Sequence, residues 1–465
     1  MIKPTPQRAL WSLLIGVILL AGLAGTSLAQ DDGTPVAHID WTTQYQEIDG
    51  FGLSGAFKQA DNLMALPEPQ RTEILDLLFS QTEGAGFSIV RNLVGDSGTW
   101  GNEIDGPLPS IRPTEDSDYV WTGDEGQIWF MREAEQRGTT RFVSTVWSPP
   151  AWMKDNNSVI DGGSLLPDYY QAYADYLATY CNGYAEQHGI DIYAISLANE
   201  PDFSAGYSSA LWSGDNFRDF VRDYLAPTFD ALDVQCKVIV GETSGWKENI
   251  VRSALSDPAA AARIDIVAAH AYDGGIREFP LSYEMGKRIW QTEVSDFHPT
   301  DPTMKSGLRW AKMLHGHLTT GQANAWFYWW GMTYKDNEEA LINMNLDDQT
   351  YLVNKRLWTL GNYARFVRPG WYRIEATAHP VPKVYVTAYH DPITGDFAIV
   401  VINDNEAETQ FELALDGFST AELVPYRTSA TEDLAQLASI QVGEAAPLIT
   451  LAPQSITTLV GTAIQ

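Results

Sequence analysis

The sequence predicts an α/β chain, a (β/α)8 TIM barrel with an attached antiparallel β-sandwich, and two observations lead there. Eight short apolar runs alternate with amphipathic stretches between residues 49 and 368, and from 369 to 465 the texture changes to short alternating runs punctuated by Gly, Pro, Asn and Asp. Alternation of buried strands with helices implies parallel βα units, and a count of eight favours a closed barrel over an open doubly wound sheet.

The chain begins with Lys3 and Arg8 ahead of an apolar stretch, 10–23, and then Ser27, Leu28 and Ala29 in a small-x-small pattern. Residues 1–29 therefore read as a secretory signal peptide, and the mature protein is expected to be secreted, without stable membrane association. Residues 30–48 read as extended chain that joins the sandwich, having no helix of their own to pair with. The barrel strands are expected at 51–53, 87–93, 141–147, 192–198, 237–241, 264–269, 288–292 and 324–329. Helical patterns lie between or after them, at 68–79, 125–137, 169–187, 216–224, 305–318 and 354–366. Sandwich strands are expected at 383–389, 397–403, 410–415, 421–426 and 455–460.

Composition narrows the function classes. Sixty acidic against 30 basic residues give a net charge of −30, which disfavours nucleic acid and anionic membranes as partners. Two cysteines, Cys181 and Cys236, make no disulfide scaffold and no cysteine-rich zinc site; one bridge and two separate buried thiols are both open. No G-x-G-x-x-G opens a helix after a strand, no Walker loop occurs, and the eight histidines form no H-E-x-x-H. Neither a cofactor nor a metal is expected, and a monomer is.

In such barrels the active site forms at the C-terminal ends of the strands. Reading those ends in order gives Arg91, then Trp147 with Trp152, Asn199 with Glu200, Glu242, His270 with Tyr272, Glu293, and Trp329 beside Trp330. Pro201, which cannot donate to a ladder, ends the fourth strand directly after Glu200. Carboxylates at opposite strands, an amide and several aromatics are the inventory of a sugar cleft, where ring faces stack on pyranose C–H surfaces. A retaining glycosidase needs one protonated and one ionised carboxyl about 5–5.5 Å apart, which the fourth and seventh strands can supply across a barrel mouth. Asn199 is suited to bond the sugar 2-hydroxyl, and Arg91 to keep Glu293 ionised. Blander roles compete. Trp329 and Trp330 are adjacent, so only one is expected to face the axis. Tyr169, Tyr173, Tyr176, Tyr180 and Tyr184 recur at helical spacing, as core residues do.

These motifs resemble glycoside hydrolase family 30. DGFG at 49–52 with Ala56 and Phe57, WSPPAWM at 147–153, ISLANEPD at 195–202, HAY at 270–272 and WQTEV at 290–294 stand in that family's order, and the opening motif resembles its xylanase-like branch. The resemblance implies a barrel fused to a sandwich built from both chain ends. It also implies Glu200 as acid/base, Glu293 as nucleophile, and Trp147, Asn199 and Tyr272 around the attacked sugar. Activity on β-1,4-linked xylan follows as the expectation, with β-1,6-glucanase, β-1,6-galactanase, glucosylceramidase and a noncatalytic carbohydrate binder as alternatives. Branches that require a glucuronic acid substituent use an arginine fork. Here the early position reads Lys58-Gln59 and residues 295–305 contain no arginine, so weak or no dependence on that substituent is expected. The loop 95–121 and the segment 207–212 are long enough to shape the cleft.

Overall fold

The structure, a computed structural model, describes residues 33–98 and 107–464. The leader expected at 1–29 and part of the 95–121 loop lie outside the described residues. Strand β1, Val36–Glu47, belongs to the C-terminal sheet. Eight strands then alternate with helical segments: β2 Gly50–Ser54, β3 Ile89–Val94, β4 Arg141–Val146, β5 Ala194–Ser196, β6 Lys237–Thr243, β7 Ile266–Ala269, β8 Arg288–Gln291 and β9 Ala325–Thr333. Neighbours are parallel throughout, and β9 pairs with both β8 and β2, which closes the barrel.

Helices cover the outer face while side chains fill the interior, so the strands are buried on both sides and read as continuous apolar runs. Ile89, Val143, Ala194, Ile239, Ile266, Ala268, Trp290, Ala325 and Phe327 form one buried cluster contributed by seven of the eight strands, a packed core and not a pore. The helix Tyr170–His188 buries its five tyrosines and ties two of their hydroxyls to the strand ends: Tyr173 donates to the Leu197 carbonyl at 3.0 Å and Tyr176 to that of Gly95 at 3.0 Å. Tyr169 lies just before this helix and is only partly buried. The tyrosine periodicity is thus core, and it braces the ends of β3 and β5.

Two departures from expectation concern the barrel mouth. The fourth strand shrinks to three residues, because past Ser196 the chain follows β6 through single bonds, Leu197 N–H to Ile239 O at 3.3 Å and Glu200 N–H to Glu242 O at 2.9 Å. The eighth runs on beyond the barrel: β9 pairs in parallel with Ala340–Asn345, which turns back antiparallel as Thr350–Val353.

The C-terminal domain is a mostly antiparallel ten-stranded sheet in which β1 lies between Tyr372–Ala376 and Thr409–Asp416, the latter in parallel. The expected sandwich is realised as one hydrogen-bonded sheet whose strands share a core: Phe397, Ile399 and Val401 pack with Ala37, Ile39, Phe411, Ile449 and Leu451. Alternate residues of the same strand, Ala398, Val400 and Ile402, join the barrel core with Leu314, Leu357 and Leu360. The period of two along Asp396–Asn403 therefore fastens one domain to the other. Among the described residues no helix is long and apolar enough to cross a membrane.

Candidate active site

Backbone geometry aims the carboxylates. Glu200 has φ 44 and Glu242 φ 55, left-handed values that are uncommon for any residue but glycine. At Glu242 the cause is a bulge: Gly241 pairs with Ala268 and Thr243 with Ala269, so Glu242 is the extra residue and its side chain turns inward. At Glu200 the strand has ended, and the N–H bond to the Glu242 carbonyl holds the turn in place. Strained residues persist where the surroundings over-determine them, and here two such turns face each other. Glu293 follows β8, with its carbonyl accepting from Ala271 N–H at 3.1 Å.

Arg91, rising from β3, is the hub. Its Nη1 donates to Glu293 Oε2 at 2.5 Å, its Nη2 to Asn199 Oδ1 at 2.8 Å and to Glu242 Oε2 at 3.2 Å, and its Nε to Thr145 Oγ1 at 3.1 Å. The guanidinium also lies 4.5 Å from the ring centroid of Trp147, a cation–π contact. His270 bridges Glu242 Oε2 at 2.9 Å and Glu200 Oε1 at 3.3 Å. The hydroxyl of Tyr272 donates to Glu293 Oε1 at 2.9 Å, and that of Tyr207 to Glu200 Oε2 at 2.6 Å. One ligand atom each of Glu200, His270 and Glu293 lies within 4.8 Å of the others, so the two glutamates face each other at close range.

Three carboxylates thus meet two cationic side chains. Burial pulls the His270 imidazole down, but the Glu293 carboxylate and the bonds to Glu200 and Glu242 outweigh it and push it up to about 10. Glu242 is also disfavoured by burial, yet Arg91 and His270 hold it at about 2. Glu200 and Glu293 lie close enough for the ionisation of each to influence the other. Burial raises the Glu293 carboxyl against the pull of His270 and Arg91, while at Glu200 burial is overcome by the bonds from His270 and Tyr207 and the net direction is down. The hydrogen bonds from Arg91 and Tyr272 occupy both Glu293 oxygens and favour its ionised form; a sugar oxygen arriving at Glu200 gives a proton there an acceptor. The same contacts leave little for a metal: an imidazolium His270 has no lone pair to offer, and Arg91 already neutralises Glu293.

Above the carboxylates opens a cleft of about 550 Å³, lined by Phe57, Trp147, Asn199, Glu200, Phe203, Tyr207, Ser244, Tyr272, Asp273, Glu293, Phe297, Trp329, Trp330, Lys335 and Glu339. Of the residues singled out in the sequence, Trp147, Asn199, Glu200, Tyr272, Glu293 and Trp329 line it. Arg91 and His270 are fully buried beneath the carboxylates and meet them from behind. Trp152 is not among the lining residues; it packs outside, over Tyr169 at 5.4 Å between ring centroids and within 5.2 Å of the Arg112 guanidinium. Trp329 and Trp330 both reach the cleft, with rings 5.0 Å apart, against the expectation of one. A bulge explains it: Gly52 pairs with Phe327 but Ser54 with Trp330, so β9 gains a residue and loses its alternation there. Phe57, Phe203, Tyr207, Phe297, Lys335 and Glu339 were not named as binding residues. Their sequence signals are weak, since each sits in an irregular loop or turn where neither period applies. Cys181 and Cys236 are both buried free thiols.

The closed barrel, with glutamates ending its fourth and seventh strands beneath an aromatic cleft, defines a glycoside hydrolase. The sequence model of the family described as Glycosyl hydrolase family 59 matches residues 48–346. Glucuronoxylanase XynC of Bacillus subtilis is 28% identical over 349 residues, covering 72% of this chain and 76% of that protein. Galactocerebrosidase of Homo sapiens is 26% identical over 346 residues, covering 72% of this chain and 45% of that one. Among solved structures, the catalytic domain of GH30 xylanase C from Talaromyces cellulolyticus superposes with a TM-score of 0.81 at 27% identity, over 92% of this chain and all 100% of that one. The chain belongs to the glycosyl hydrolases that the family 59 model describes, and these relatives bear out its likeness to the xylanase-like branch of family 30.

Proposed function

We propose that the chain is a secreted, monomeric, retaining hydrolase of β-1,4-xylosidic bonds in xylan or xylo-oligosaccharides, working by double displacement. The observation that carries this reading is the close approach of Glu200 and Glu293, with oxygens within 4.8 Å. An approach this close supports the roughly 5–5.5 Å separation of retaining enzymes over the about 6.5–9.5 Å of inverting ones. Glu293 attacks the anomeric carbon while Glu200 gives its proton to the departing oxygen, and the bond to the leaving group breaks. Water, losing a proton to Glu200, then displaces Glu293 and restores both groups. Arg91 and Tyr272 donate to both Glu293 oxygens, which aims the carboxylate and favours its ionised form against burial. Asn199, its carbonyl turned to Arg91, keeps its amide N–H groups for the sugar 2-hydroxyl, a bond that strengthens as oxocarbenium character develops. The proposed chain division is a leader at 1–29, a joining segment at 30–48, a catalytic barrel at 49–368 and the sheet domain at 369–465.

Weak demand for a glucuronic acid substituent accords with the cations near the cleft. Lys335 sits 3.4 Å from Glu339 and over the Trp330 ring, and Lys58 pairs with Asp61 at 3.4 Å. A second reading, another glycosidic linkage, draws on the match to galactocerebrosidase. One experiment tests both: chromatography of products from xylan, β-1,6-glucan, β-1,6-galactan and an aryl glucoside, with the first-formed anomer followed by NMR. Release of β-anomers from xylan alone is the expected result; silence on xylan overturns the substrate, and α-anomers first overturn the mechanism.

A further inference from the structure

Two phenylalanines at the cleft stand out against the burial of the other lining aromatics: Phe203 is 48% exposed and Phe297 is 70% exposed. An apolar ring left in water gains from being covered, and both rings line the cavity that holds the two glutamates. Neither sits on a loose loop. Phe203 N–H donates to the Glu200 carbonyl at 2.9 Å, and the excursion that follows is tied back by Asp161 N–H to Ala205 O at 2.7 Å, Ser209 N–H to Val159 O at 2.8 Å and Lys154 Nζ to Ser209 O at 2.7 Å. Phe297 lies between Asp296, held by Arg309 at 2.7 Å, and His298, whose carbonyl accepts from Glu338 N–H at 3.0 Å. Its ring stacks on Tyr272 at 6.3 Å and 20°. Stiff backbones holding exposed rings form a preorganised surface, which spares the ordering cost of binding.

We propose that Phe203 and Phe297 form the subsite for the departing group, a platform that binds the leaving sugar through its apolar face. The proposal rests on the assignment of Glu200 as proton donor, because the leaving group departs on the donor's side and Phe203 is fastened to Glu200's own turn. Of the polar residues that line the same cleft, Ser244 bonds to Asp202 through its N–H at 2.9 Å and Asp273 pairs with Lys247 at 3.0 Å. Stacking on the two rings is a contact that any pyranose with a flat C–H face satisfies. The subsite is tolerant of the leaving sugar, and discrimination is left to the attacked one.

The test compares two substrates with the same glycone, xylotetraose and β-xylobiosyl fluoride, on the wild-type protein and on Phe203→Ala, Phe297→Ala and the double variant. Fluoride leaves without a platform. The double variant is expected to lose about tenfold or more in kcat/KM on xylotetraose and to stay within about twofold of wild type on the fluoride. Losses that are equal on both substrates, or absent on both, overturn the platform while leaving the glutamate assignments standing. A wild-type protein inactive on both substrates overturns the xylanase reading, and the platform falls with it.

Discussion

Both ends of the barrel set buried carboxylates against cationic side chains, and they use the arrangement in opposite ways. At the bottom, Asp49 accepts from Trp290 Nε1 at 2.8 Å and lies near Arg141 and Arg288, at 3.7 Å and 3.9 Å; Arg288 has a second partner in Glu47 at 2.5 Å. Asn324 ties the same end together by accepting from Ile289 N–H at 2.7 Å and donating to Glu47 O at 2.8 Å. Two acids, Glu47 and Asp49, meet two arginines, and the backbone beside them is bonded across the barrel end. At the top, three carboxylates meet Arg91 and His270 and a cleft opens above them. The balanced end closes the fold. The end with one acid in excess is the one that opens to a cleft, the setting in which carboxyls of unequal environment can take opposite parts in acid–base chemistry.

The largest effect that can break this comparison is at Glu293. Glu293→Gln keeps an oxygen for the Arg91 bond and removes the proposed nucleophile. It is expected to leave thermal unfolding little changed while lowering kcat on xylan by at least about four orders of magnitude. Retained turnover would remove the top end's claim to chemistry. Arg91→Lys comes next. Lysine keeps the charge but cannot reach Glu293, Asn199 and Glu242 together, so a loss of about a hundredfold in kcat/KM is expected. A loss confined to KM would make Arg91 a contributor to uniform binding only.

The matching change at the bottom is Asn324→Ala. It leaves the Ile289 N–H and the Glu47 carbonyl without their partners in a buried setting, at a cost of about 2 kcal/mol of stability. Activity per folded molecule is expected to stay unchanged, as measured by denaturant melts beside active-site titration. Loss of activity with no loss of stability would erase the distinction between the two ends.

How far the sequence reveals this arrangement depends on which residues obey a period. Barrel strands such as Ile89–Val94 and Lys237–Thr243 stand out because both faces are buried, so that adjacent residues such as Ile89 and Val90, or Val238, Ile239 and Val240, are apolar together. Glu200 and Glu293 stand out because each ends such a run. What escapes is set by bulges and loops. The inward turn of Glu242 and the arrival of both Trp329 and Trp330 at the cleft each depend on one extra residue in a strand, and no pattern of period two contains that information. Tyr207, seven residues past Glu200, reaches back only because the intervening turn folds over the carboxylate. Trp152 fails in the opposite way: its place in an aromatic motif beside a strand end puts it near the mouth, but the Pro149-Pro150 turn carries it outward onto Tyr169.

The smallest expected effect is at Tyr207, and it bears on which glutamate plays which part. The Tyr207 hydroxyl donates to Glu200 and helps to hold that carboxyl below its ordinary value, so Tyr207→Phe moves Glu200 upward. If Glu200 must be protonated to deliver the leaving group, the alkaline limb of kcat/KM against pH follows its ionisation, and that limb moves to higher pH in Tyr207→Phe. If Glu200 had to be ionised to attack, the same upward shift would appear in the acid limb instead. The rate at the optimum is expected to change only a few-fold, because a single neutral hydroxyl is worth about 1 kcal/mol. The limb that moves therefore reports the proton's place in the excess-acid end of the barrel, independently of how fast the enzyme turns over.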